Sequence, residues 1–286
     1  MQVGPVTVVA PPAYRARAVA LAERVDGPID FPGLGRVVPE PFLLVLVEDS
    51  LALARVSRGR APGWGAAVAF PRARTIMLRA DLPDLERTLH HELAHLTLRN
   101  SVHTYLPLWF DEGYATLAAG EVGGMMQLEL NLAVALGRVP SLRQLDGRLR
   151  GSATEASTAY ALAATAVAEL MRRPPGAGLG ALLTRLGAGE PFALALENSV
   201  GLSEDRFEAL WRQGLRRRYG LITWLAAGGF WLLVAISVFV VTWYKRDRDR
   251  PRRAALDVGW SLTETVPGET SEAPGDGPVD RTGEER

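Results

Sequence analysis

The chain contains no cysteine. That excludes disulfides and thiolate metal sites, so a zinc site here has to be built from histidine and carboxylate. It does not decide the compartment. Net charge is also missing: 32 Lys and Arg balance 32 Asp and Glu, so no global field points to a nucleic-acid partner. No internal repeat is present, and Gly and Pro are common without a period. The first residues have neither the basic n-region nor the long apolar h-region of a signal peptide. At 286 residues the chain is long enough for one or two domains with a sizeable core.

Histidine is scarce, with four in all, yet two of them fall in one short pattern. His91-Glu92-Leu93-Ala94-His95 is H-E-x-x-H. On a helix, residues four apart share a face, so His91 and His95 can offer two imidazole nitrogens to one ion. A catalytic zinc needs three protein ligands and a water, and Glu92 sits where a carboxylate could take a proton from that water. A solvated polar helix face is the alternative. The flanking Leu89, Leu93, Ala94, Leu96 and Leu98 argue for burial instead, and buried imidazoles need partners. The third ligand is expected downstream, with Glu112 as the candidate.

His91–His95 followed by Trp109-Phe110-Asp111-Glu112-Gly113-Tyr114-Ala115 (W-x-x-E-G-x-A) resembles the gluzincin metallopeptidases, and most of all the bacterial group called peptidase MA-like. The resemblance implies that His91, His95 and Glu112 hold Zn2+ and that Glu92 is the general base. Asp111 competes for the third ligand position, although an acidic residue in a helix's first turn has its own reason to be there. Tyr160 stands where the family begins a later helix with a tyrosine. In thermolysin-like sites a Tyr or His donates to the developing oxyanion; a packing role for Tyr160 is the alternative. His103, in a loop, is read as either a donor near the site or a solvated side chain. Gly201-Leu202-Ser203 through Phe207-Glu208-Ala209-Leu210-Trp211 resembles the family's C-terminal end, so the likeness runs from about Val6 to Arg218.

The rest follows from pattern. Strands are expected at Val6–Ala10, Phe42–Val47, Gly63–Phe70 and Thr75–Leu78, with Pro71–Arg74 as a turn. Gly27–Pro41, broken by four prolines and two further glycines, reads as loop. Ala66–Phe70 is the candidate for an edge strand that pairs with substrate backbone, or else simply the last core strand. Helices are expected over Ala13–Val25, Ser50–Val56, Asp81 or Asp84 to Asn100, Leu108–Ala119, Met125–Leu136 (over the cleft), Glu155–Arg173, Leu179–Leu186, Ala193–Asn198, and from Ser203 onward. Ser141–Asp146 reads as a short turn. The fold class is α+β: a zincin-like domain over residues 1–220, with a small N-terminal sheet and a C-terminal helical lobe.

Leu221–Tyr244 has 24 residues without a charge. As a helix it would be about 36 Å long, enough for a hydrocarbon core of about 30 Å, and Trp224, Trp243 and Tyr244 suit the interfaces. This reads as one transmembrane helix. Six basic residues from Lys245 to Arg253 outnumber four from Arg212 to Arg218, favouring a cytoplasmic C-terminus and a catalytic domain outside; the missing leader pulls the other way. Residues 245–286, basic first and then Gly/Pro-rich and acidic, read as a disordered tail.

The expectation is therefore a membrane-anchored zinc metallopeptidase acting on peptides or proteins, with no nucleic-acid partner. No G-x-M-E-N pattern precedes the helix, which leans towards an endopeptidase. The rival reading is a catalytically silent zincin-fold scaffold tethered to the membrane. An intramembrane protease is rejected because Arg87, His90 and Arg99 surround the motif.

Overall fold

The computed structural model describes residues 1–60, 65–121, 123–174, 176–219 and 229–257. Five strands form one sheet: β1 (Gln2–Val3), β2 (Val6–Val9), β5 (Phe42–Val47), β6 (Ala67–Phe70) and β7 (Thr75–Arg79), in the order β1-β2-β5-β7-β6. The β2, β5 and β7 strands are parallel, while β1 and β6 run antiparallel to their neighbours. The apolar run of β5 is explained by cover on both faces. Phe42, Leu44 and Leu46 enter the main core with Ile76 and Leu78. On the other face Val45, Val47, Val68 and Met77 pack with Leu53, which belongs to α2 (Ser50–Val56). Asp49 caps α2 by accepting from the Ala52 N–H at 2.8 Å, a contact of about 0.5–2 kcal/mol.

The main core face is covered by α1 (Arg15–Arg24) and α3 (Leu85–Ser101). Asp84 caps α3, as the sequence led us to expect. The stretch Gly27–Pro41 is a hairpin rather than a loop: β3 (Ile29–Phe31) pairs with β4 (Gly35–Val37). Its breakers serve as the turn, where Gly33 adopts a left-handed φ of 72°, a conformation open to glycine at no steric cost.

The second half is helical: α4 (Leu108–Ala118), α5 (Gly124–Ala135), α6 (Leu142–Leu149), α7 (Ala153–Met171), α8 (Leu179–Gly187), α9 (Phe192–Val200) and α10 (Glu204–Tyr219). The expected turn at Ser141–Asp146 is the first part of α6. Ser141 and Gln144 form a reciprocal capping box that starts it, and Leu142, Leu145 and Leu149 bury one stripe. The α7 helix is central, touching α4, α5, α6, α8 and α10. Its alanines allow close approach: a Cβ on Gly113 of α4 would lie 2.5 Å from the Ala163 backbone. The α5 helix packs on α7 and α10, and among the described residues none of its side chains lines the cavity described below, although it was expected to lie over the cleft.

Residues 1–229 form one compact unit and residues from 230 a second. Of the expected span Leu221–Tyr244, residues 221–228 lie outside the described residues. The remainder begins α11 (Phe230–Asp257), whose Phe230, Trp231, Phe239, Trp243 and Tyr244 are exposed. Among the described residues no helix is long and apolar enough to cross a membrane. Residues 245–257, expected in the disordered tail, continue α11; those after 257 lie outside the described residues.

Candidate active site

Two helices meet to make the site. On α3, His91 and His95 stand one turn apart, with ring centroids 5.0 Å apart. Six residues after α3 ends, Pro107 opens α4. Trp109 anchors α4 in the helical lobe, packed edge-on against Phe110 and Phe192 and stacked with Phe207. Its backbone N–H donates to Asp146 of α6 at 2.7 Å, which satisfies one of the helix's free N-terminal donors. Gly113 allows α4 to lie against α7. Glu112 is thereby set between the two imidazoles: its Oε2 is 3.5 Å from His91 Nε2 and 3.4 Å from His95 Nε2. One donor atom from each of these three residues lies within 4.8 Å of the others, a grouping suited to a metal ion.

The distances and the donor set both fit zinc. Ligands at about 2.1 Å in tetrahedral array lie about 3.4 Å apart, close to the His–Glu separations. The chemistry fits too, because each histidine uses its other nitrogen elsewhere. His91 Nδ1 is 3.2 Å from Glu121 Oε2, and His95 Nδ1 is 3.0 Å from Asp111 Oδ1. A carboxylate at Nδ1 fixes the tautomer that leaves Nε2 as the free lone pair, the arrangement found around metal-bound histidines.

Asp111 lies outside the His91, His95 and Glu112 donor cluster. It orients His95 and is itself held by the Arg99 guanidinium from α3. Glu121 was not among the candidate residues read from the sequence. It reaches His91 because α4 ends in a Schellman turn. Gly120 takes a left-handed φ of 64°, its N–H bonds the Leu117 carbonyl, and the Glu121 N–H bonds the Thr116 carbonyl. Substituting Asp111→Asn or Glu121→Gln is expected to weaken zinc affinity about 10–100-fold without emptying the site at saturating metal. Competition titration with a chromophoric chelator checks this, and an unchanged affinity in both variants counts against the orienting role.

Without metal, the electrostatics are those of a charge cluster largely withdrawn from water. Burial works against the imidazolium of His91, but its bonds to Glu112 and Glu121 prevail and raise its pKa to about 9. His95 is raised likewise, burial being outweighed by Glu112 and Asp111. Burial also opposes ionisation of Glu112, yet the two histidines hold its carboxyl well below the usual range. A raised histidine stabilises the fold below its unfolded value of 6.5 and loses that contribution as pH rises through about 9. A depressed carboxyl contributes above its unfolded value of 4.5 and loses this as pH falls. The metal-free protein is thus expected to lose thermal stability from pH 6.5 to 9, whereas the metal-bound form, whose ligands must be deprotonated, should not. Melting curves with and without chelator across that range test it; parallel pH profiles contradict it.

Glu92 is 8 % exposed, and burial, with help from Glu112 and Glu121, raises its pKa. It shares a cavity of about 510 Å³ with His91, His95, Glu112 and Tyr160. Tyr160, on α7, meets the His91 ring edge-on at 6.1 Å. Its pKa is pushed up by burial first and then by Glu112, Glu92 and Glu121, so it stays a hydroxyl donor at any working pH. His103 is exposed and lines an adjoining groove rather than this cavity. The strand β6 is indeed a sheet edge, and Ala67, Val68 and Ala69 form one wall of the cavity.

Residues 46–217 match the family model of the peptidase MA superfamily. The chain belongs to the peptidase MA superfamily. The match begins within β5 rather than at Val6, so β1 to β4, α1 and most of β5 lie outside it. As a peptidase MA protein, the chain pairs a small sheet with a helical lobe, and its His-His-Glu cluster lies inside the matched region. No curated protein matches the chain at a significant level.

Proposed function

We propose that this peptidase MA protein is a zinc-dependent peptidase of the gluzincin type that hydrolyses peptide bonds of peptide or protein substrates. The observation that carries the reading is the convergence of His91 Nε2, His95 Nε2 and Glu112 Oε2 at tetrahedral-edge distances, beside a buried Glu92. A zinc ion at these three residues supplies Lewis acidity, acidifying a water and polarising the scissile carbonyl.

The protein's own groups do the rest. A peptide laid along the free edge of β6 is held by main-chain hydrogen bonds, the usual way an extended segment joins a sheet. Glu92, with its pKa raised by burial, takes the proton of the attacking water on a carboxylate oxygen and returns it to the leaving amine. Tyr160 donates its hydroxyl proton in a hydrogen bond to the carbonyl oxygen as negative charge builds there. Ala67 and Ala69 leave room for the backbone to approach. The absence of a G-x-M-E-N pattern before α3 favours internal over terminal cleavage. Elemental analysis of the purified full-length protein tests the metal reading: one zinc per chain supports it, and none removes its basis.

We also hold to a membrane tether through residues 221–244, with the catalytic domain outside. Support comes from the uncharged run and the exposed apolar side chains that open α11. Digestion of intact cells with added protease distinguishes the sides, since a domain that stays protected argues against an outward-facing one.

A further inference from the structure

We infer that the cleft selects acidic side chains in the substrate, three to four residues to one side of the scissile bond, through Arg60 and Arg72. The inference rests on the peptidase reading above and names its substrate class.

The central cavity does not end at the metal cluster. A second groove of about 760 Å³ adjoins it, and the two share the walls Arg60, Val68, Ala69, Pro71 and Arg99. The catalytic end of the cleft lies beside the start of β6, where Ala66 and Ala67 share a pocket with His91, Glu92 and Tyr160. The second groove follows the strand from Val68 and continues past its end to Ala73. From Ala67 to Phe70 the strand advances about 10 Å. A peptide paired with β6 and cut beside Ala67 therefore runs into the second groove along Val68 and Ala69 and reaches its Phe70–Ala73 end about three residues away.

The charge of that groove is one-sided. Arg60, Arg72, Arg99 and His103 line it, and among the described residues no Asp or Glu does. Arg99 is committed to Asp111. Arg60 and Arg72 make no ion pair with a carboxylate among the described residues, and both are exposed. The Arg60 guanidinium rests over the Phe70 ring at 5.7 Å, which holds a cation at the rim. Arg150, from the end of α6, adds a further cation to the central cavity. Among the described residues the carboxylates that line the central cavity are Glu92, Asp111 and Glu112; Glu112 belongs to the His-His-Glu cluster, Asp111 is bonded to His95 and Arg99, and Glu92 is buried. An extended peptide with Asp or Glu at the far positions meets unpaired guanidinium groups there, whereas Lys or Arg meets like charge. This is the complementarity that sets partner choice.

The test separates binding from cleavage. Full-length Glu92→Gln protein loaded with zinc is titrated with three fluorescein-labelled decapeptides. All have a central Ala-Leu bond, with Asp/Glu, Asn/Gln or Lys/Arg at the third and fourth residues on either side of it. The acidic peptide is expected to bind about tenfold more tightly than the Asn/Gln peptide, the preference shrinking at 0.5 M salt. In Arg60→Glu/Arg72→Glu, made in the same background, the order is expected to invert, with the Lys/Arg peptide binding best. That inversion cannot come from misfolding. Equal binding of the three peptides, or a preference that survives the double charge reversal, overturns the inference. Wild-type hydrolysis of the same peptides is scored separately: no cleavage despite acid-selective binding refutes the peptidase reading alone.

Discussion

Glu92→Gln is expected to lower kcat about 100- to 10,000-fold while leaving zinc content at the wild-type level. The amide keeps the volume and the place in the cavity but cannot accept the proton of the attacking water. Glu92 is not among the three clustered donor residues, so metal should stay. Retention of full activity would remove Glu92 from the mechanism. Loss of zinc along with activity would mean that the carboxylate helps to hold the metal.

Glu112→Ala is expected to have the largest effect of any single change: zinc occupancy falls steeply, and hydrolysis goes with it. Glu112 is the one acidic group facing both Nε2 atoms. Removing it leaves two of the three clustered donors and takes away one of the charges, beside Glu121 and Asp111, that favour protonated His91 and His95 in the metal-free protein. The pH-dependent stability of that form should flatten as well. Elemental analysis and melting curves on the same preparation check both consequences. A variant that retains one zinc per chain would point to a different third ligand.

H-E-x-x-H was legible because helix geometry forces it, and W-x-x-E-G because it resembles the gluzincin motif. H-E-x-x-H puts His91 and His95 one turn apart on any helix, and the apolar flanks require α3 to be buried. The physical reason for W-x-x-E-G is one the sequence could only hint at. Trp109 locks α4 into the lobe and Gly113 lets it touch α7, and these contacts place Glu112. The Phe42–Val47 strand fell where expected, and of the two starts offered for α3, Asp81 and Asp84, the cap is Asp84. What escaped is set by tertiary contacts. Asp111 reads as a first-turn charge until α3 brings His95 and Arg99 beside it. Glu121 lies 30 residues from its partner His91, and only the Schellman turn at Gly120 joins them. The β3–β4 hairpin was hidden by its own turn residues, since Pro32, Gly33 and Gly35 read as loop whether or not short strands flank them. The start of α6 was within reach: Ser141-Leu142-Arg143-Gln144 is a capping box, and reading it as a turn stopped the helix too soon.

The central claim is that one zinc in this site is required for peptide hydrolysis. It is tested most directly by following cleavage of an internally quenched peptide library by the wild-type protein. Activity is recorded as purified, after removal of metal by chelation, and after adding back one equivalent of Zn2+. The account predicts cleavage that disappears on chelation and returns with the added zinc. Cleavage indifferent to chelation would contradict it. So would a protein that takes up one zinc per chain and cuts no peptide, which would instead favour a metal-bearing scaffold.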